Sequence, residues 1–254
     1  MNKNIEKLLE TAVSEIGYRE KKNANSLDDK NANAGSNNYT KYGRDLSKWT
    51  NSGNTYGINY QWCDQFYDWL LCKCFGVDKA KRLLIGWSAY TPTSAQYYKD
   101  KKQWHKIEDA EPGDQIFFKN SIRIHHTGIV YKIDAKNKII YTIEGNTNPG
   151  SGVEADGVKV AMKSYSFDNK RIAGVGRPDW SILEEDETEI GWHKDEVGTW
   201  YRHTKGTGPN TYYHSVIKEI NGKIYAFNEG GYLIKNNKAL IHIDDKTGEI
   251  YFKR

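Results

Sequence analysis

A chain of 254 residues with mean hydropathy −0.82 and 37% apolar residues has no apolar run long enough to cross a membrane, which excludes a helical membrane span. Net charge is +4 but uneven: residues 1–180 carry 27 basic against 21 acidic side chains, and residues 181–254 carry 10 against 12. The basic excess is scattered and forms no Arg-rich stripe, so nucleic acid is excluded as the expected partner. Three cysteines, odd in number and clustered at 63, 72 and 74, imply no disulfide framework. The start, Met1-Asn2-Lys3-Asn4-Ile5-Glu6, is charged at once, and no secretory signal is expected.

In chain order, Ile5, Leu8, Leu9, Ala12, Val13 and Ile16 share one face and predict an amphipathic helix over 4–16, ended by Gly17. Residues 20–45 are rich in Asn, Asp, Ser and Gly and read as a long loop. Within it, oxygen-bearing Asp28, Asp29, Asn31 and Asn33 resemble the start of a calcium loop. The pattern departs from an EF-hand: the glycine is displaced by one, and the twelfth position from Asp29 is Thr40 rather than Glu.

The next element carries the most chemistry. From Cys63 the apolar residues Phe66, Tyr67, Leu70 and Cys74 fall at helical spacing, behind the loop Gly57-Ile58-Asn59. A thiol on the first turn of a helix sits at the positive end of the macrodipole, which favours the nucleophilic thiolate. The neighbouring N–H groups can hold a developing oxyanion. A plain buried cysteine is the alternative. Cys72 and Cys74, without a second Cys/His pair, read as packed helix residues. Residues 78–100 read as a helix and loops.

From Glu111 the pattern changes to strands. Pro112-Gly113-Asp114 is a turn signal, Gln115–Lys119 a strand, and Gly128–Ile133 with Lys138–Ile143 a hairpin across 134–137. Val158–Lys163 and Ile172–Arg177 complete an antiparallel set, so the front of the chain reads as α+β. A cysteine nucleophile needs a base, and the base an orienting partner. His125 and His126 stand directly before the strand Thr127–Tyr131; adjacent strand residues face opposite sides, so only one can enter a site. Across the hairpin, Glu144 or Asn146 can accept the second ring N–H.

Ser181–Ile190 holds five acids and no base and reads as a solvated linker, separating 1–180 from 191–254. Beyond it, Gly198-Thr-Trp-Tyr, Gly222-Lys-Ile-Tyr and Gly248-Glu-Ile-Tyr repeat at intervals of 24 and 26 residues. Asn221-Gly222 is a two-residue hairpin turn and Asp245–Gly248 a second turn. Stacked hairpins of this kind make a small all-β module.

Helix-borne Trp62-Cys63, then Pro112-Gly113-Asp114, His126-Thr127-Gly128-Ile129-Val130 and Ile143-Glu144-Gly145-Asn146 together resemble the CHAP family of peptidoglycan amidases and endopeptidases, relatives of the NlpC/P60 and papain-like hydrolases. Asn38-Tyr39-Thr40-Lys41-Tyr42-Gly43 is similar to the segment those domains carry before the cysteine. The resemblance implies papain-like helices packed on an antiparallel sheet, with Cys63 as nucleophile, His126 as base, Glu144 as orienting acid and Asn146 as a further polar member. It implies Gln61 as an oxyanion donor, with the Cys63 N–H, and no cofactor for the chemistry. Some members bind structural calcium in the upstream loop.

The tail resembles the aromatic wall-binding repeats that accompany such domains. That implies contact with peptidoglycan or a wall glycopolymer through Trp192, Trp200, Tyr201, Tyr225 and Tyr232, with Phe227 beside them, and leaves room for self-association of the hairpins. The layout is that of a phage endolysin, held in the host cytoplasm until membrane holes release it to the wall. A cysteine protease acting on proteins and an inactive wall-adhesion protein are the rival readings.

Overall fold

The computed structural model describes all residues except 1, 151–152, 154–156, 206–208, 236–240, 244–246, 248–249 and 253–254. The chain divides into two compact units, Met1–Leu183 and Glu184–Arg254. It is α+β: helices on an antiparallel sheet, followed by small two-stranded hairpins.

The front unit begins with α1 (Lys3–Glu15), capped by the Asn2 side chain. Leu8, Leu9 and Ala12 are buried on the predicted face, and Gly17 adopts a left-handed φ of 89° just past the end. The segment read as loop over 20–45 does not run to its end as a loop. Helix α2 (Lys41–Trp49) starts inside it, with the Thr40 hydroxyl accepting the Gly43 N–H as N-cap. Then come α3 (Cys63–Phe75), α4 (Val77–Leu83) and α5 (Thr91–Asp100).

The strands are β1 (Trp104–His105), β2 (Gln115–Lys119), β3 (Ile124–Asp134), β4 (Ile139–Thr147), β5 (Lys159–Ser166) and β6 (Ile172–Gly176). They form one six-stranded sheet in the order β1-β6-β2-β3-β4-β5, with antiparallel neighbours throughout. Strand β3 begins four residues before the predicted start and so contains both histidines. One sheet face, with Ile129 and Ile143, packs against α1 and α3 in the main core. The other carries a smaller core of Ile116, Phe118, Val130, Ile140, Tyr165 and Val175.

Helix α3 is the hub. Every residue from Cys63 to Cys72 is buried, although Asp64, Gln65 and Asp68 are among them. Its leading end is fixed by a cluster of rings. Trp62 stacks on Tyr42 at 5.5 Å, and Tyr42 meets Tyr18, Phe66 and Trp69 at 4.9–5.2 Å. The indole N–H of Trp62 donates to Glu20 Oε2 (2.7 Å), and the Tyr42 hydroxyl donates to Glu15 Oε2 (2.7 Å). The Tyr42 of the motif before the cysteine is therefore a packing partner of the residue that precedes it.

The acidic segment read as a linker is helical: α6 spans Ser181–Thr188. Its first turn belongs to the front core, where Ile182 and Leu183 are buried.

Among the described residues the tail unit holds three antiparallel hairpins: β7 (Gly191–Lys194) with β8 (Thr199–Arg202), β9 (Val216–Ile220) with β10 (Lys223–Phe227), and β11 (Ile241–Ile243) with β12 (Ile250–Phe252). The turn Asn221-Gly222 has φ of 51° and 74°, the left-handed pair that a type I′ turn requires. Of the Asp245–Gly248 turn only Thr247 is among the described residues.

Candidate active site

Cys63 opens α3 and is 5% exposed. Backbone N–H groups of Asp64, Thr127 and Cys63 itself favour the thiolate, but burial outweighs them and pushes the thiol up to about 12, helped by the Asp64 carboxylate. Burial thus opposes the thiolate that the helix start favours. The Thr127 N–H brings the sulfur against β3, at the residue that follows His126.

His126 is fully buried. Its Nε2 is 2.8 Å from Glu144 Oε2, and the other carboxylate oxygen accepts the Thr142 hydroxyl at 2.6 Å. Both partners of the pair are 0% exposed. With the carboxylate on Nε2, Nδ1 remains, and it has no hydrogen-bond partner among the described residues. Of the two acceptors considered across the hairpin, Glu144 is the one at Nε2. Asn146 is fully buried at a bulge in β4, with φ of 54°, and its carbonyl accepts the Gly157 N–H.

Two glycines make this geometry possible. A Cβ at Gly128 would lie 2.5 Å from Glu144 Cγ, so only glycine lets the carboxylate lie beside β3. A Cβ at Gly145 would lie 2.7 Å from Phe66 Cβ, so glycine there lets β4 seat against α3. His125 is separated from its neighbour as alternation requires. It is partly exposed, and its Nε2 lies 2.8 Å from Arg171 Nη2.

Several residues that sequence reasoning passed over hold the site from behind. Asp64 is buried, accepts from Ser94 Oγ (2.6 Å) and Gln115 Nε2 (2.8 Å), and is pushed up to about 7 by burial. Asp68 is driven well above the carboxylate range by burial and by Asp64, and accepts the Tyr56 hydroxyl at 2.6 Å. Gln65 donates to the Gln61 carbonyl (3.1 Å) and accepts the Gly57 N–H (3.3 Å), tying the loop to the helix. A polar residue at helical spacing between apolar ones was the available signal. Gln61 itself is exposed, and its side chain makes no hydrogen bond among the described residues.

The upstream acids are not gathered as metal ligands. Asp28 is held in a two-pronged ion pair by Arg44 (2.7 Å to each oxygen), which keeps its carboxyl below the usual range. Asp29 Oδ1 accepts the N–H groups of Asn31 and Ala32 at 2.8 Å, and the Asn33 amide donates to Asn23 Oδ1 at 2.8 Å. No group of three or more His, Cys, Asp or Glu positioned for a metal occurs among the described residues.

In the tail unit, strand alternation sorts the rings into two faces. Trp192 meets Tyr201 at 5.1 Å and Tyr225 at 4.7 Å, while on the other face of the same hairpin His193 stacks on Trp200 at 4.3 Å. Tyr232 bridges to Trp200 through the backbone and donates its hydroxyl to Asp195 at 3.0 Å. Trp192 is 40% exposed and Phe227 fully buried, so Phe227 is core rather than contact surface.

The sequence matches no family model and no curated protein. A solved structure of a wild-type endolysin, LysIME-EF1, is similar over 79% of this chain and 79% of its own, with 13% identity and a TM-score of 0.38.

Proposed function

We propose that the protein is a peptidoglycan hydrolase of the endolysin kind, a cysteine amidase or endopeptidase that cuts an amide bond of the wall, either the muramoyl–L-alanine amide or a peptide bond of the stem or cross-bridge. One observation carries this reading: a buried pair of His126 on β3 and Glu144 on β4, with the Cys63 sulfur at the Thr127 N–H of β3. Glu144 on Nε2 fixes the tautomer that leaves Nδ1 unprotonated and able to take the thiol proton. Because burial holds Cys63 as a thiol, that proton moves as the sulfur attacks the carbonyl carbon rather than beforehand. The N–H groups around the helix start are placed to receive the carbonyl oxygen as it gains charge. His126 then returns the proton to the departing amine. Water, deprotonated by the same nitrogen, hydrolyses the thioester and releases Cys63.

Nδ1 has no hydrogen-bond partner among the described residues, and in this reading its bond to the sulfur forms only around substrate. The hairpin tail is the wall-binding part, and its half-exposed rings suit the apolar faces of sugars. Cys63→Ala in the full chain is expected to abolish clearing of purified Gram-positive walls with an unchanged melting temperature. Retained lysis by the folded variant would overturn the assignment. Loss of activity on protein substrates, with walls never attacked, would give the protease reading instead.

A further inference from the structure

The end of β3 that leads into His126 is surrounded by cations that lack acids. Arg123 Nη1 donates to the Ile124 carbonyl (3.1 Å), and its guanidinium lies 5.2 Å from the Tyr90 ring centre. Arg171 Nε donates to the Lys119 carbonyl (2.9 Å), and Nη2 donates to His125 Nε2 (2.8 Å). Because arginine only donates, that nitrogen of His125 carries a lone pair and the imidazole is neutral. Burial, followed by Arg171, His126 and Arg123, lowers the His125 pKa, consistent with that state. Lys99 sits 4.7 Å from the Trp104 ring centre. None of Lys99, Lys119, Arg123 and Arg171 has a carboxylate partner among the described residues. A cavity of about 330 Å³ opens among them, lined by Lys99, Lys119 and Arg123 with no acidic side chain in its wall.

This group is tied to the candidate active site through α5. The Thr91 hydroxyl donates to the Ile124 carbonyl (3.2 Å), and Ser94, one turn on, donates to Asp64 beside Cys63. Arg123 lies just before β3, three residues ahead of His126, which is at most about 10 Å along the chain.

We propose that Arg123 and Arg171, with Lys99 and Lys119 around the adjoining cavity, form a substrate subsite that binds a free carboxylate of a peptidoglycan stem peptide. The proposal rests on the hydrolase reading and names the part of the substrate held beside the scissile bond. Tyr90 and His125 position the two guanidinium groups, which are thereby fixed before the ligand arrives. The carboxylate is favoured over the phosphodiester of a wall polymer because the cavity is compact and close to His126. A polymer would require an extended basic stripe, which the sequence lacks.

The test uses the full chain with Arg123→Gln and Arg171→Gln on two preparations of peptidoglycan stripped of phosphate polymers by acid. One keeps its stem carboxylates, and the other has them converted to amides with carbodiimide and ammonia. On the acid form each variant should raise KM about tenfold, with kcat within about twofold, as expected for loss of a charge-assisted contact. On the amidated form the wild-type protein should fall to the level of the variants, and the variants should lose nothing more. Equal losses on both forms, or no loss on either, would overturn the subsite. A loss confined to unstripped walls would assign the anion to phosphate and overturn the carboxylate. If the wild-type protein cuts no wall at all, the hydrolase reading fails on its own. Calorimetric binding of a synthetic stem tetrapeptide acid against its amide then decides the subsite, with equal binding of the two refuting it. Both arginines are exposed, so melting temperatures should be unchanged.

Discussion

The two units use aromatic side chains in opposite ways. In the front unit Tyr18, Tyr42, Trp62 and Phe66 are 0% exposed, and the hydroxyls of Tyr18 and Tyr42 and the Trp62 N–H are spent on internal acceptors. In the tail Trp192 is 40% exposed, and Trp200, Tyr201, Tyr225 and Tyr232 are all partly open to solvent. Enclosed rings with satisfied polar tips hold other groups still, here the start of α3 and hence Cys63. Half-open rings on short hairpins leave apolar faces for something else to cover. The same residue types thus serve positioning in one unit and surface in the other, and substitutions should separate the two.

The sharpest separation is expected at the buried pair. His126→Ala should bring wall lysis down to the level of Cys63→Ala, a loss of several orders of magnitude, because the proposed mechanism gives it every proton transfer. Glu144→Gln should lose less, since it orients the ring rather than taking the proton. His125→Ala should retain a large part of kcat. Steady-state release of wall fragments measures all three. A reversed order for His125 and His126 would contradict the placement of His126 at the site.

How much of this was legible in the sequence depends on how local the cause is. The hairpins were readable because Asn221-Gly222 and the period-two alternation act within a few residues. Cys63, His126 and Glu144 each sit in a short motif at the end of a recognisable element, and the pairing of His126 with Glu144 follows from two neighbouring strands. Helix α2 was missed, since its cap, Thr40, lies in a stretch whose composition says loop and its stability comes from Tyr42 packing on residues 20 or more positions away. The raised thiol pKa was also invisible. A sequence shows that a cysteine starts a helix, but not that the sheet will close over it. The Asp64–Ser94–Gln115 network joins three elements separated by up to 51 residues, and no spacing announces it.

That network gives the next expected effect. The Asp64 pKa is raised from its unfolded value near 4 to about 7 by burial, so between those values the folded chain holds the extra proton. Its contribution to stability is complete below about pH 4, falls as pH rises through about 7, and is constant beyond. Asp64→Asn removes that dependence. Against the wild-type curve, the variant should gain on the order of 4 kcal/mol between pH 4 and pH 8, because the group is fully buried. With the carboxylate gone, alkylation of Cys63 by iodoacetamide should start at lower pH. Denaturation curves with the same pH dependence in both proteins would refute the assignment.

In the tail the expected effect is on binding alone. Trp192→Ala should weaken attachment of the full chain to intact cells about tenfold, as loss of one exposed ring face does. Turnover on soluble wall fragments should stay as it was. Cell-pelleting of the Cys63→Ala protein, with and without the tail substitution, reads the first quantity cleanly. Equal binding would make Trp192 a packing residue like its front-unit counterparts and remove the contrast.

The smallest expected effect concerns the loop before α2. Its residues alternate like a calcium site, yet Asp28 is neutralised by Arg44 and Asp29 by backbone N–H groups, so the attraction a cation would supply is already provided. Lys21, fully buried 4.8 Å from the centre of the Tyr18 ring, adds positive charge within reach of Asp29. A divalent ion entering here would have to displace a guanidinium from two oxygens and then meet a buried ammonium. Chelator in excess should therefore leave the melting temperature and wall lysis unchanged, whereas Arg44→Gln should lower the melting temperature by a few degrees. It is this variant that should begin to respond to calcium, because it exposes both Asp28 oxygens at once. A chelator-sensitive wild-type protein would show that the ion pair gives way to metal.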